Sequence, residues 1–286
     1  MSSTVPKALT TPPPQVSNVL ITFPAPHVLL ITLNRPAQLN AIPSYQHAEL
    51  DALYRWYDSE PHLRAAIVTG SGRAFCAGAD LKEWDSRHST ASPQAKAAES
   101  HNTQRWTTSG FGGLSNRTGK KPVIAAVNGL CLGGGMEMAV NCDLVVASEG
   151  AKFGLPEVKR GVVALAGALP RVIRVVGKQR AAEMALLGRM YTARQMEGWG
   201  VVNFVVGGDV VAEAVRVAEE LAGNSPDAVI VSREGMRLGW EGVGPELGTE
   251  ILERGMYGRI DGAENMKEGV RSFVERREAR WVDSKL

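Results

Sequence analysis

Apolar runs of five or six residues punctuate the first half of the chain, while its last third is amphipathic throughout. Val28–Leu33, Ala65–Thr69 and Val123–Val127 are such runs, and Asn34-Arg35-Pro36 breaks the first of them. Their length and their β-branched residues predict buried strands. Between them, Tyr45, Ala48, Ala52, Leu53 and Trp56 recur at helical spacing, and Ser44 is placed to cap a helix reaching Tyr57. From Lys121 to Glu157 the chain reads as strand, glycine turn, helix beginning over Met136–Val140, strand and loop. Helical patterns follow over Leu169–Val176, Gln179–Leu187 and Ala193–Gly198, then a strand over Val201–Val206. Four more helices are expected over Val211–Ala222, Asp227–Leu238, Glu246–Tyr257 and Glu264–Arg280.

Two stretches carry no such pattern. Residues 1–26 are rich in Ser, Thr and Pro and lack the charged start and apolar core of a secretory signal. They read as a disordered arm. Trp84 to Lys120 is polar, with Trp106 and Phe111 as its main apolar marks. Its His88 and His101 lack a pairing motif and read as solvated or satisfied side chains.

Composition narrows the class. A chain of 286 residues, 44% apolar and 22% charged, fits one large globular domain or a domain with an appendage. A net charge of +2 with both signs mixed argues against a dedicated nucleic-acid surface. No apolar run reaches the length of about 18 residues that a membrane helix needs. Cys76, Cys131 and Cys142 have no metal or disulfide spacing and read as reduced, mostly buried thiols. No metal site and no redox cofactor are expected. Hydrolase elbow, zinc-protease, P-loop and dinucleotide signatures are absent.

The chemistry gathers in Lys121–Glu157. Gly133-Gly134-Gly135 lets the backbone bend and lets a ligand approach the main chain closely. The helix that follows starts with unpartnered N–H groups and the positive end of its dipole, which suit a developing negative charge. Glu137 stands in its first turn, and Glu157 follows the next strand in a Phe-Gly-Leu-Pro-Glu loop. Each feature alone has an ordinary structural reading: glycine triplets pack helices, and a first-turn Glu stabilises the dipole.

A second motif changes that balance. Gly72-Arg73-Ala74-Phe75-Cys76-Ala77-Gly78-Ala79-Asp80-Leu81-Lys82-Glu83 directly follows the strand at Ala65–Thr69. Together the two motifs resemble the enoyl-CoA hydratase/isomerase (crotonase) family, and the resemblance runs from about Val28 to Val282. It implies an α/β crotonase fold, a spiral of ββα units over residues 27–206, with a helical trimerisation region over 207–283. It implies an oxyanion hole from the N–H groups of Ala79 and Gly134, and catalytic carboxyls at Glu137 and Glu157. The water role falls mainly on Glu137 and the α-carbon proton on Glu157.

The resemblance also places coenzyme A, which is part of the substrate rather than a cofactor. Arg35 to Ala41, with Ala37 and Leu39, lies near it in the family, as do Ala77, Ala79, Asp80, Leu81, Lys82 and Gly134 of the two motifs. Ala37 stands where a lysine is frequent, which removes one phosphate contact. Asp80 also reads as a turn or cap residue and Lys82 as a surface lysine. After Glu157, Leu165 and Ala168 stand where the family often has glycine, so a pocket unlike that for short straight chains is expected.

The resemblance implies trimers pairing into hexamers, an acyl-CoA substrate and no nucleic acid. Ser284-Lys285-Leu286, expected to be exposed, is the form of a peroxisomal import address read by a receptor. The resulting expectation is a peroxisomal enoyl-CoA hydratase of fatty-acid or specialised acyl metabolism. An isomerase on the same scaffold and a non-catalytic acyl-CoA- or RNA-binding relative are the alternatives. Two glutamates favour hydration over both.

Overall fold

The computed structural model describes residues 6–83 and 108–286. Among these residues, ten strands form two sheets. The larger has the order β1 (Val19–Ala25), β2 (Val28–Leu33), β3 (Ala65–Gly70), β5 (Val123–Val127), β7 (Leu144–Ser148) and β10 (Phe204–Val206). The smaller has β4 (Ala74–Cys76), β6 (Leu130–Leu132), β8 (Lys152–Gly154) and β9 (Met190–Thr192). The β1–β2 and β8–β9 pairs are antiparallel and the others parallel. Each of β3, β5 and β7 in the large sheet is followed by a short strand in the small one, so the chain winds as a spiral of ββ repeats. Helices α1 (Gln46–Ser59) and α2 (Gly134–Val140) lie between successive turns of the spiral. This is the α/β crotonase architecture that the motifs implied.

The large sheet is buried on both faces, which is why its strands read as unbroken apolar runs rather than as alternating ones. Leu29, Ile31, Ala66, Val68 and Ala125 face the main core with Phe75, Phe153 and Tyr54. Val28, Leu30, Ile67, Ile124 and Val146 face Ala214, Val217 and Ala218 of α6 (Val210–Ala222). Before α6 come α3 (Ala168–Val176), α4 (Lys178–Leu187) and α5 (Ala193–Gly198). After it come α7 (Pro226–Trp240), α8 (Pro245–Leu252) and α9 (Glu264–Glu275). Arg233 of α7 donates to Asp143 at 2.7 Å, and Asp143 accepts the Val123 N–H at 2.8 Å, so the helical region is keyed to the sheet. Among the described residues, no helix is long and apolar enough to cross a membrane.

Several elements differ from the sequence expectation. Residues 6–26 are not a free arm. Val16 joins the core, 19–25 form β1, and Thr10 donates from N and Oγ1 to Glu60 at 2.9 and 2.7 Å. Ser and Thr side chains that look disorder-prone in sequence here have fixed carboxylate partners. Ser44 does not cap α1. Tyr45 is the cap residue, and the Ser44 N–H and hydroxyl both bind Glu83. The last strand shrinks to Phe204–Val206, because the Val201 and Val202 N–H groups close on Met196 O at 2.9 and 3.3 Å. α8 ends at Leu252 in a wide turn over Glu253–Tyr257, and α9 stops where Arg276 turns left-handed at φ 53°. The C-terminal tripeptide is not free either: the Ser284 hydroxyl donates to Asp227 at 2.5 Å, and Ser284 and Leu286 are half-buried.

Candidate active site

The first half of the site is a knot tied by Asn40. Leu39 and Asn40 are both left-handed, at φ 53° and 56°, a conformation Asn tolerates through local hydrogen bonding. The Asn40 side chain accepts from Arg35 N at 2.9 Å and donates to Ser71 O and Ala74 O at 2.9 and 2.7 Å. Arg35 in turn pairs with Asp80 at 2.9 Å. These bonds hold segment 35–41 against segment 77–80, where the Ala77 N–H donates to Leu39 O at 3.0 Å. Beside them, the Ile42 N–H donates to Gly78 O at 2.9 Å and the Asp80 N–H to Ile42 O at 3.2 Å. The Ala79 N–H between them has no acceptor among the described residues.

The second half starts at Gly133, whose φ of 54° and ψ of −125° turn β6 into α2. Glycine is required at the next two positions as well. A Cβ on Gly135 would lie 2.2 Å from Cys76 O, and one on Gly134 would lie 2.6 Å from three atoms of the Phe111 ring. The two halves touch, since a Cβ on Gly78 would be 3.2 Å from Gly134 N. The Gly134 N–H opens α2 and, like that of Ala79, meets no acceptor among the described residues.

Both glutamates face this junction. Glu137, in the first turn of α2, is 2% exposed. Burial first, and the charge of Glu157 second, push its pKa up to about 8, against the opposing pull of the Ala166 and Ala168 N–H groups and of Arg171. Glu157 opens a turn of 3-10 helix, and its Oε1 lies 3.2 Å from where a Cβ on Gly133 would stand. Its pKa is also raised by burial. Each carboxyl keeps one buried oxygen, Oε2, without a partner. Two such orphans on carboxyls that feel each other's charge mark a place for water or substrate atoms.

The remaining sequence-predicted residues sit at the edge. Ala37, Leu81 and Lys82 are exposed. Asp80 spends its carboxylate on Arg35 and, at 3.4 Å, on the Glu83 N–H. Residues 84–107, including His88, His101 and Trp106, lie outside the described residues.

Sequence reasoning missed the frame behind the site. The Arg171 guanidinium donates to Asn116 at 2.6 Å and to Gly167 O at 3.3 Å. The Ser115 hydroxyl donates to Ala166 O at 2.6 Å and accepts the Phe111 N–H at 2.7 Å. One loop therefore fixes both the 166–168 turn that serves Glu137 and the ring that walls Gly134. His47 backs that ring at 4.8 Å, and its Nδ1 accepts the Gly112 N–H at 2.9 Å. Burial pushes the His47 pKa down to about 4, so the imidazole is neutral. The Arg171–Asn116, Ser115–Ala166 and His47–Gly112 contacts join residues 55, 51 and 65 positions apart, and no spacing announces them.

The arrangement can bind a carbonyl oxygen on two main-chain donors while two carboxyls, holding a proton between them, move protons beside it. The profile of the enoyl-CoA hydratase/isomerase family matches residues 25–284. The mevalonyl-coenzyme A hydratase SIDH of Beauveria bassiana is 61% identical over 96% of this chain and 98% of its own length. The mevalonyl-coenzyme A hydratase of Aspergillus fumigatus is 50% identical over the same shares. The crystal structure of an enoyl-CoA hydratase from Mycobacterium tuberculosis superposes with a TM-score of 0.81, at 31% identity, over 93% of this chain and 99% of that one. By motif, fold and relatives alike, the chain belongs to the enoyl-CoA hydratase/isomerase (crotonase) family and is an enzyme of hydratase chemistry on enoyl-CoA-type thioesters.

Proposed function

We propose that this enzyme interconverts mevalonyl-CoA and the 2-enoyl thioester formed from it by loss of water. The observation that carries the chemistry is the pair of orphaned carboxyl oxygens beside two unclaimed backbone N–H groups. The substrate reading is supported by the 61% and 50% identical relatives, both mevalonyl-coenzyme A hydratases. Leu165, which is 77% exposed, and Ala168 depart from the glycines frequent in the family and fit a pocket of altered shape.

The free site starts best in the dehydrating direction. With the pKa of Glu137 at about 8, that carboxyl holds the proton at neutral pH and leaves Glu157 as the base. Glu157 takes the C2 proton, and the electron pair moves toward the thioester oxygen, whose charge the Ala79 and Gly134 N–H groups stabilise. The C2=C3 bond then forms as C3–O breaks, and Glu137 gives its proton to the departing hydroxyl, which leaves as water. Hydration is the same path reversed: Glu137 receives the proton of the attacking water and Glu157 delivers one to C2.

The test follows enoyl absorbance with the mevalonyl-derived thioester and with a straight-chain 2-enoyl-CoA of similar length. A preference of at least about tenfold in kcat/KM for the branched, hydroxylated thioester is expected. Glu157→Gln should lower kcat by about 10²–10⁴ while binding persists. A straight-chain preference overturns the substrate reading alone; normal turnover in Glu157→Gln removes that residue from the mechanism.

We further propose a trimeric or hexameric assembly, supported by the exposed Val270, Phe273 and Val274 on α9. For a chain ending at Leu286, Ser284-Lys285-Leu286 supports peroxisomal import. Loss of punctate location on deleting these three residues is the expected result, and unchanged location refutes it.

A further inference from the structure

Far from the catalytic pair, three segments bring His27, His62 and Asp283 together. One nitrogen of each imidazole and one carboxylate oxygen all lie within 4.8 Å of one another. His27 occupies the β1–β2 turn in a left-handed conformation, φ 64°, which a non-glycine residue adopts only at a cost. Its carbonyl accepts the Arg64 and Ala65 N–H groups at 2.9 and 3.2 Å, which fixes the turn. Its Nδ1 meets His62 O at 2.6 Å. A ring that donates from one nitrogen to a carbonyl presents the other nitrogen as a lone pair, the arrangement common to metal-bound histidines. The two rings are 4.4 Å apart and tilted by 50°.

Asp283 is held from both sides. The Val282 N–H donates to Asn265 at 3.0 Å, Asn265 donates back to Val282 O at 3.1 Å, and Ser284 binds Asp227. Arg64 stands 3.5 Å from Asp283 Oδ1, and His62 Nδ1 stands 3.5 Å from Oδ2. Both contacts are long for a charge-assisted hydrogen bond, which runs at about 2.7–2.9 Å. The second matches the spacing of two donors each about 2.1 Å from one tetrahedral ion, roughly 3.4 Å. Arg64 then neutralises and orients the far oxygen, leaving Oδ2 for the ion.

We propose that His27, His62 and Asp283 form a binding site for a divalent cation of the zinc class, which ties the C-terminal segment to the β1–β2 turn. Two imidazoles and one carboxylate suit a borderline ion with water in the fourth position. They do not suit calcium or magnesium, which take oxygen-rich shells. The three residues are 35 and 221 positions apart, so no sequence spacing betrays them.

The test uses the full chain after chelator treatment and dialysis, titrated with zinc by calorimetry and with cobalt(II) by visible absorbance. One equivalent should bind with the intense visible bands of a four-coordinate cobalt centre. His62→Gln and Asp283→Asn should each weaken that binding at least about tenfold, and zinc should raise the melting temperature of the parent chain but of neither variant. Hydratase turnover should be unchanged in both variants. If His62→Gln does not fold, Asp283→Asn on the tail carries the same comparison. Absence of binding by the parent chain, or equal binding by the parent and Asp283→Asn, overturns the proposal.

Discussion

Glu137→Gln is expected to lose activity by about 10²–10⁴ and, at the same time, to melt at a higher temperature than the parent enzyme in mild alkali. The first effect follows because an amide can neither give a proton to a departing hydroxyl nor take one from water. The second follows from linkage. The ordinary pKa of the group is 4.5, and in the folded protein it stands at about 8. Between those values the native chain holds a proton that the unfolded chain has released. Raising the pH through that window therefore favours unfolding, at about 1.4 kcal/mol per pH unit. The loss is absent below pH 4.5 and complete above about 8. Glutamine has no such proton to lose. Thermal melts of both proteins at about pH 5 and pH 8.5 should show a gap that widens by several degrees at the higher pH. A gap that does not change with pH would mean Glu137 is ionised in the folded enzyme.

Gly134→Ala should lower kcat by roughly 10²–10³, the effect of losing one oxyanion donor. The added methyl would meet three atoms of the Phe111 ring at 2.6 Å. That ring cannot step aside, because it is 2% exposed, backed by His47, and anchored through Ser115. The start of α2 must move instead, and the Gly134 N–H moves with it. Gly150→Ala makes a suitable control, since a Cβ there meets nothing within 4 Å. Adding Phe111→Ala to the Gly134 variant opens the space and should restore part of the rate, a coupling that a double-mutant cycle measures. If the cycle shows no coupling, the ring is not what restricts that position.

Much of this enzyme is legible in one dimension. Strands β2, β3 and β5 announce themselves as continuous apolar runs because both faces of their sheet are covered. Helix α5 and the two glycine motifs are equally local, and so are the two glutamates. The three-residue strands of the small sheet are too short to show a period. The N-terminal segment hides because its order comes from Glu49 and Glu60, carboxylates tens of residues away. Ser44 looks like a cap until Glu83 arrives to claim it. The frame of Phe111, Ser115, Asn116 and Arg171 is wholly a product of folding: each residue is unremarkable in its own neighbourhood.

On the proposed mechanism, the two donors at Ala79 and Gly134 have a consequence for how such an enzyme diverges. Every residue but proline carries an amide hydrogen, so outside the crowded glycine turn few single codon changes can remove a main-chain donor. Mutation can displace those donors only through bulk, as at Gly134, and most replacements at Ala79 leave the donor itself in place. What remains open to change on that proposal is the wall of the pocket, at positions such as Leu165 and Ala168, and the carboxyls proposed to decide where protons go. A gene copy of this kind inherits its hardest chemistry in the main chain and can explore new acyl groups by altering side chains alone.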